Sequence, residues 1–345
     1  MSGTPSATPP PVESARVEEA ALETGGRFAS SGLWRNLGLV IALVLLCVVG
    51  IITSGPDFVG GNNIVTILRY AAIIGVLSIG MTFVITAGGI DLSVGSVLGL
   101  ASVWATTLAT QTIAANTHWI VMVTTAVLVG AACGLVNGVL IAYGKVVAFI
   151  ATLAMLVAAR GLAEIISGKR NQNLENNGFE AFWRDDFLGM QTIVWVFAVV
   201  AVLGWVLLNR TTFGRRTIAV GGNAEAARLA GIKVRAHTTW LYVLCGALAG
   251  LAGVMMIART TTGSSTHGTL YELDVIAAVV VGGTLLIGGR GTIVGTVLGV
   301  LIFATLSNVF TQNNLSISVQ SVAKGAIIVL AVLLQQQLAA RSRKT

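Results

Sequence analysis

Trp119-Ile-Val-Met-Val-Thr-Thr-Ala-Val-Leu-Val-Gly-Ala-Ala-Cys-Gly-Leu-Val-Asn-Gly-Val-Leu-Ile-Ala-Tyr143 runs 25 residues without a charge. A helix that crosses a bilayer needs about 20 apolar residues, and this stretch supplies them. It lacks the strict alternation of a barrel strand and is too long for one. Nine further apolar runs flank it, at 33–52, 67–87, 92–112, 146–167, 192–208, 240–258, 275–287, 293–310 and 317–335. The run at 275–287 is short, which marks it as broken or as starting earlier, near Leu270. The expectation is an all-α, polytopic membrane helical bundle of about 10 transmembrane helices.

Composition agrees. Over the full 345 residues, 55% are apolar and only 10% charged, with a mean hydropathy of +0.85. A soluble chain of this length carries far more charge. Glycines recur four apart at Gly95/Gly99, Gly130/Gly134/Gly138, Gly246/Gly250 and Gly291/Gly295/Gly299, the spacing that lets helices approach closely in lipid. Cys47, Cys133 and Cys245 are isolated inside apolar runs, and His118, His237 and His267 are scattered. Neither set has the spacing of a disulfide frame or a metal site, so no metal is expected.

The net charge of +7 sits mainly in short loops, which points to membrane orientation rather than nucleic acid. The segment 209–238 holds Arg210, Arg215, Arg216, Arg228, Lys233 and Arg235 against a lone acid, Glu225. With ten spans, this loop, Lys145, Arg290 and both termini fall on the cytoplasmic side, and the loop 53–63, with one acid and no base, falls outside. The loop 168–191 mixes both signs. Residues 1–31 read as a disordered cytoplasmic tail rather than a secretory signal, 32–338 as the membrane domain, and 339–345 as a basic cytoplasmic tail.

Three features bear on mechanism. The chain has no Gly-xxxx-Gly-Lys-[Ser/Thr], since Gly144-Lys145 and Gly168-Lys169 lack the upstream glycine, so it binds no ATP through a P-loop. Ionisable residues inside the spans are few. Arg160 and Glu164, four apart, share one helix face as a self-neutralising pair near the outer end, with Arg160 reaching toward headgroups. Lys324 has no acid nearby in sequence and is expected to line a wet cavity or to pair across helices with Glu272 or Asp274. Finally, Asn223-Ala-Glu-Ala-Ala-Arg-Leu-Ala-Gly231 reads as a short helix, with Asn223 as N-cap, Glu225 in the first turn and Gly231 as the stop. It suits either contact with a cytosolic partner or an ordinary surface helix. A gapless internal match joins Gly89-Ile-Asp-Leu-Ser-Val-Gly-Ser-Val-Leu-Gly99 to Gly289-Arg-Gly-Thr-Ile-Val-Gly-Thr-Val-Leu-Gly299, as repeats in transporters do.

Several pieces together resemble the permeases of ribose-type monosaccharide ABC importers. They are Gly80-Met-Thr-Phe-Val-Ile-Thr-Ala-Gly-Gly-Ile-Asp-Leu-Ser-Val-Gly95, Asn137-Gly138, Phe149-Ile-Ala-Thr-Leu153, Ala159-Arg-Gly161, Glu272-Leu-Asp274, Val281-Gly-Gly283, Gly288-Gly-Arg-Gly-Thr-Ile-Val-Gly-Thr296 and Ala323-Lys-Gly325. The resemblance covers about 62–335 and places Gly89, Asp91, Gly95, Arg160, Asp274, Arg290 and Lys324 in its motifs. Val147 stands where members often carry Pro, and Ala154-Met155 where they often carry Gly-Thr.

The resemblance implies a bacterial inner-membrane permease without chemistry of its own. Its partners would be a second permease copy, identical or related, a cytosolic ATPase subunit that binds the ATP, and a periplasmic or lipid-anchored sugar-binding protein. The segment 223–231 would then be the coupling helix, through Asn223, Glu225, Ala226, Ala227, Arg228 and Gly231. Ser93, Ser96, Asn137, Thr152 and Asn308 are expected to face the sugar pathway, because hydroxyls need weak, replaceable hydrogen bonds. The rival readings are a stand-alone ion-coupled carrier or channel and an intramembrane enzyme. The second needs a clustered set of reactive groups that the sequence does not supply.

Overall fold

The computed structural model describes residues 36–342. The tail expected at 1–31 lies outside the described residues, as do Arg343 and Lys344 of the basic C-terminal tail. The chain forms α1 (Asn36–Ser54), a single 3-10 turn (Pro56–Val59), α2 (Gly61–Thr86), α3 (Val94–Ala105), α4 (Leu108–Asn116), α5 (Ile120–Ala142) and α6 (Ala148–Ser167). There follow β1 (Gln172–Asn173), α7 (Asn177–Arg184), β2 (Asp186–Phe187), β3 (Met190–Gln191), α8 (Thr192–Arg210), α9 (Thr212–Gly222), α10 (Ala224–Leu229) and α11 (Val234–Thr260). The last elements are β4 (Thr262–Gly263), α12 (Tyr271–Val281), α13 (Ile293–Gln312) and α14 (Ile317–Ser342). The strands form two minimal antiparallel pairs, β1 with β4 and β2 with β3.

Every predicted apolar run carries helix, and the fold is an all-α membrane bundle. Among the described residues, seven helices are long and apolar enough to cross a membrane, namely α1, α2, α5, α6, α8, α11 and α13. The run expected as one span at 92–112 is bent by 56° between α3 and α4, which makes at most one further crossing. Thr106 and Thr107 cause the break. Their hydroxyls bond the carbonyls of Ser102 and Trp104, and Thr107 then caps α4 by accepting from the Thr110 N–H. The run at 275–287 is not a full span. Its helix, α12, starts just after Leu270 and stops at Val281, a length of about 16 Å. Val147, at the entry to α6, has φ −58°, the angle a proline would impose there, so its departure from the family pattern leaves the helix start unchanged.

The core is built around α2, which is buried at every position from 71 to 86, as an all-round apolar helix requires. α11 lies against it, and α3 and α5 pack on α11 and on each other. The α5–α11 contact is backbone on backbone. A Cβ at Gly130 would collide with the Gly246 carbonyl, one at Gly246 with the Gly130 carbonyl, and one at Gly250 with the Ala126 carbonyl. The expected small-residue packing is therefore present.

The elements alternate between two ends. At one end the C-terminus of α2 meets the 282–292 hairpin and α9, and Gly138 of α5 meets Thr239 near the start of α11. The bases of 209–238, with Lys145 and Arg290, belong to this basic end. At the opposite end Asn63 meets Asn308, Asn313 donates to the Thr53 hydroxyl, and β1 pairs with β4. There α7, which had no expected counterpart, is pinned by rings: Trp119 stacks on Phe182 at 4.6 Å, and Phe179 on Trp183 at 5.8 Å. Replacing Gly246 by Leu should force α5 and α11 apart and cost at least about 1–3 kcal/mol, read as a lower unfolding midpoint in detergent. Gly161→Ala, where a Cβ meets nothing within 4 Å, should leave the midpoint unchanged or raise it.

Candidate functional site

The basic end is shaped by two short capped helices. Thr211 caps α9 by accepting from the Gly214 N–H, and Asn223 closes α9 and opens α10. Asn223 Oδ1 accepts from the N–H groups of Glu225 and Ala226, both at 3.0 Å, and Gly231 turns the chain out at φ +85°. Both are as the spacing predicts. Ala227 is the buried residue of α10, so the helix rests on the bundle through one small side chain and presents its remaining residues outward. Glu225 and Arg228 form a two-pronged pair at 2.6 and 3.0 Å on that outer face. The hydrogen bonds from Arg228 hold the Glu225 carboxyl below the ordinary carboxylate range, and Glu225 in turn raises Arg228. The pair is therefore intact at neutral pH and is lost only as pH falls through that depressed value. Beside it Leu229 stands 74% exposed, a feature that the charge-based reading missed.

Behind α10, three backbone segments touch without side chains between them. The Gly289 N–H donates to the Thr86 carbonyl at 2.8 Å, joining the 282–292 hairpin to the end of α2. A Cβ at Gly221 of α9 would collide with that same Thr86 carbonyl and come 2.6 Å from the Gly289 nitrogen. Gly288 faces both Gly221 and Gly88, and Gly88, Gly288 and Gly289 all have φ between +78° and +85°. The two hairpins of the internal match therefore lie at the same end and abut through Gly88 and Gly288. Each leads directly into a buried helix, α3 or α13. Arg290 is exposed on the second hairpin, and its carbonyl accepts from the Leu285 N–H.

From the opposite end, residues 262–268 run into the bundle alongside α3, extended only at β4 and then as hydrogen-bonded turns. Gly263 abuts Ser102 and Thr106, and Gly268 abuts Gly95 more than two helical turns deeper. Irregular backbone at that depth needs protein partners. Arg160 of α6 supplies them by donating to the carbonyls of Ser265 and His267, the latter at 2.9 Å, while His267 Nδ1 and the Ser102 hydroxyl are 3.1 Å apart. Arg160 thus does not pair with Glu164, which bonds Lys169 at 3.4 Å instead. Half-helix α12 then begins, and Asp274 in its first turn meets Lys324 of α14 at 2.8 Å and accepts from the Tyr70 hydroxyl at 3.0 Å. The cross-helix pairing expected for Lys324 is present, with Asp274 as the partner.

Of the five residues expected along a pathway, Ser93 and Asn137 bond each other at the first hairpin, Thr152 also donates to the Ile90 carbonyl there, and Asn308 lies at the opposite end. Ser93 and Asn137 serve Asp91, which is 1% exposed: the Ser93 N–H and hydroxyl donate to Asp91 Oδ1 at 2.9 and 2.6 Å, and Asn137 donates to the Ser93 hydroxyl at 3.0 Å. This network fixes the first hairpin, whose Gly89 leaves no room for a Cβ beside the Tyr242 hydroxyl. Ser96 and Thr152 are buried, and Thr152 bonds its own backbone at Ala148. Asn308 lines a cavity of about 650 Å³ at the opposite end. The sequence signal missed here is the polar run 260–269, ten Thr, Ser, Gly and His residues between two apolar stretches, which reads as a surface loop unless its depth is known.

Fold and ends together define a multi-pass helical membrane protein with a capped basic face backed by close-packed hairpins. The chain belongs to the family described as branched-chain amino acid transport system / permease component, whose model matches residues 63–332. Among characterised relatives it is 39% identical to the ribose import permease protein RbsC of Escherichia coli K12 over 317 residues, 90% of this chain and 96% of that one. It is 42% identical to RbsC of Bacillus subtilis 168 over 313 residues, 90% of this chain and 96% of that one. It is 37% identical to the L-arabinose ABC transporter permease protein AraH of Azospirillum brasilense over 311 residues, 89% and 90%. No solved structure matches. The protein is a multi-pass plasma-membrane permease subunit.

Two outcomes test this geometry. Lys324→Met should destabilise the bundle by about 3–5 kcal/mol in thermal unfolding, and adding Asp274→Leu should recover most of that loss. Gly221→Ala should push α9 off Thr86 and Gly289, and cut transport at least about tenfold while the variant still assembles and purifies as a complex.

Proposed function

We propose that this chain is the translocating subunit of an ATP-driven importer for a monosaccharide, a ribose-like pentose or hexose. The observation that carries the reading is identity of 37–42% along nine-tenths of the chain to ribose and L-arabinose permeases. The basic end faces the cytosol, as the Lys/Arg bias of the loops directs, and both termini lie on that side. ATP is bound by a separate ATPase subunit, since this chain carries no Walker motif. An extracytoplasmic binding protein delivers the sugar at the opposite end, and a second permease copy completes the pathway. Nothing specific supports a stand-alone carrier or channel.

The coupling follows from the contacts at the basic end. α10 offers the ATPase a rigid knob: a capped helix, a locked Glu225–Arg228 pair and the apolar Leu229. Motion of that knob passes through α9 to Gly221, and from there to Thr86 and Gly289 by backbone contact. A push on α9 therefore moves the two hairpins and the helices α3 and α13 that they start. Rigid-body shifts of this kind exchange one packing of the bundle for another and so alternate access. ATP hydrolysis in the partner sets the direction, and sugar selection rests mainly with the binding protein.

The test exchanges the two charges. Glu225→Arg combined with Arg228→Glu keeps an ion pair within α10, and Asn223 still caps it, but the face shown to the ATPase is reversed. With the ATPase and binding protein co-expressed, assembly and ATP-dependent sugar uptake should fall at least about tenfold. Undiminished assembly and uptake would rule out this docking site.

A further inference from the structure

We propose that the polar chamber between α2, α13 and α14 is a binding site for a neutral polyhydroxylated ligand of pentose class, held by the permease itself. This rests on the importer reading and extends it, by giving the membrane subunit a sugar site of its own at the end away from the bases. The outer part of the chamber, about 650 Å³, is lined by Asn62, Asn63, Thr66, Asn308, Thr311 and Gln312, with Asp57 and two glycines completing the wall. That volume lies within the about 300–1,000 Å³ typical of small-molecule sites. An adjoining part of about 250 Å³ shares Thr66, Asn308 and Thr311 and leads inward to Tyr70, Arg259 and Lys324.

The lining is organised for hydroxyl groups. Asn63 and Asn308 exchange reciprocal amide bonds at 3.1 and 2.7 Å, and Asn63 also donates to the Phe58 carbonyl and accepts from Gln312 at 3.0 Å. Asn63 is thereby saturated, which makes it the positioning residue that locks α2 to α13. Asn308 keeps one amide hydrogen, and Gln312 keeps one hydrogen and its carbonyl oxygen, both beside the chamber. The Thr66 and Thr311 hydroxyl protons go to their own helices, at Asn62 O and Ser307 O, so each oxygen is left as an acceptor. The wall therefore offers both donors and acceptors. A sugar hydroxyl, which donates once and accepts twice, matches such a wall at every position.

Other ligand classes fit less well. A branched amino acid needs apolar wall for its side chain, and Ala304 is the one aliphatic residue in the two linings. A cation needs free oxygens that converge, but those of Asn63 and Asn308 already accept amide hydrogens. An anion meets the Asp57 carboxylate in the outer part, and of the inner cations Lys324 is matched by Asp274 while Arg259 lies over the Tyr70 ring at 5.7 Å.

The chamber is testable without the transport cycle. Thr311 and Thr66 are exposed, so cysteines there leave the core intact. Purified Thr311→Cys and Thr66→Cys permeases, without ATPase or binding protein, are labelled with a small maleimide, and labelling is read site by site by mass spectrometry to separate it from Cys47, Cys133 and Cys245. D-ribose or L-arabinose at about ten times its dissociation constant should slow labelling at both positions about tenfold. Thr117→Cys, on an exposed loop outside the chamber, should label at the same rate with and without sugar. In the full complex, Thr311→Trp should fill the space and abolish uptake. Labelling rates unchanged by either pentose overturn the proposal. So does protection by L-leucine in place of the pentoses, or wild-type uptake by Thr311→Trp. If pentoses protect Thr311→Cys while the complex shows no ATP-driven uptake, the chamber stands and the importer reading fails.

Discussion

The structure depends on one constraint: at the basic end, three pieces of backbone meet at a distance that only glycine allows. Thr86 ends the central helix, Gly289 belongs to the 282–292 hairpin and Gly221 to α9, and the space between them excludes a Cβ. Side chains can change rotamer and absorb a push. Backbone packed on backbone cannot, so a displacement of α9 reaches α2 and the hairpin undiminished. The left-handed angles at Gly88, Gly288 and Gly289 let both hairpins turn tightly enough to share that point. The Asp91–Ser93–Asn137 network then stiffens the first hairpin from behind.

A second constraint operates from the other end. The segment 262–268 enters the bundle without regular structure, and its carbonyls would be orphaned in lipid. Arg160 answers two of them, the Asp274–Lys324 pair ties the half-helix that follows to α14, and α12 itself packs on the glycine stripe of α13. Broken spans of this kind recur where a transporter must change shape. Here the break lies one step along the chain from the hairpin that α9 touches, and α12 joins the two.

Much of this was legible in the residues. Apolar runs of helical length gave seven spanning helices, while those at 92–112 and 275–287 are bent or short, and four-residue glycine spacing gave the α5–α11 contact. Asn223 and Gly231 marked the ends of α10 because capping is local chemistry. Lys324 was legible for the opposite reason: a charge inside a span demands a partner, and Asp274 was within the small set available. What failed was what depends on distant chain. Arg160 was read with Glu164 because they share a helix face, but carbonyls more than a hundred residues away hold it. The polar run 260–269 has the composition of a surface loop, and nothing local says that it enters the bundle. Ser93 and Asn137, expected along the pathway, gather at the buried Asp91 carboxylate, a partner that no local pattern announces.

The account's central claim is that α10 is the place where an ATPase grips the membrane subunit. The most direct measurement is photo-cross-linking in membranes from cysteines placed at Ala226 and Leu229 and labelled with benzophenone maleimide, with the ATPase co-expressed. The account predicts a covalent adduct between the two subunits from both positions, with a yield that changes when nucleotide is added, and none from a cysteine at Thr117. Modification of those same α10 cysteines by a membrane-impermeant reagent applied to intact cells would contradict it.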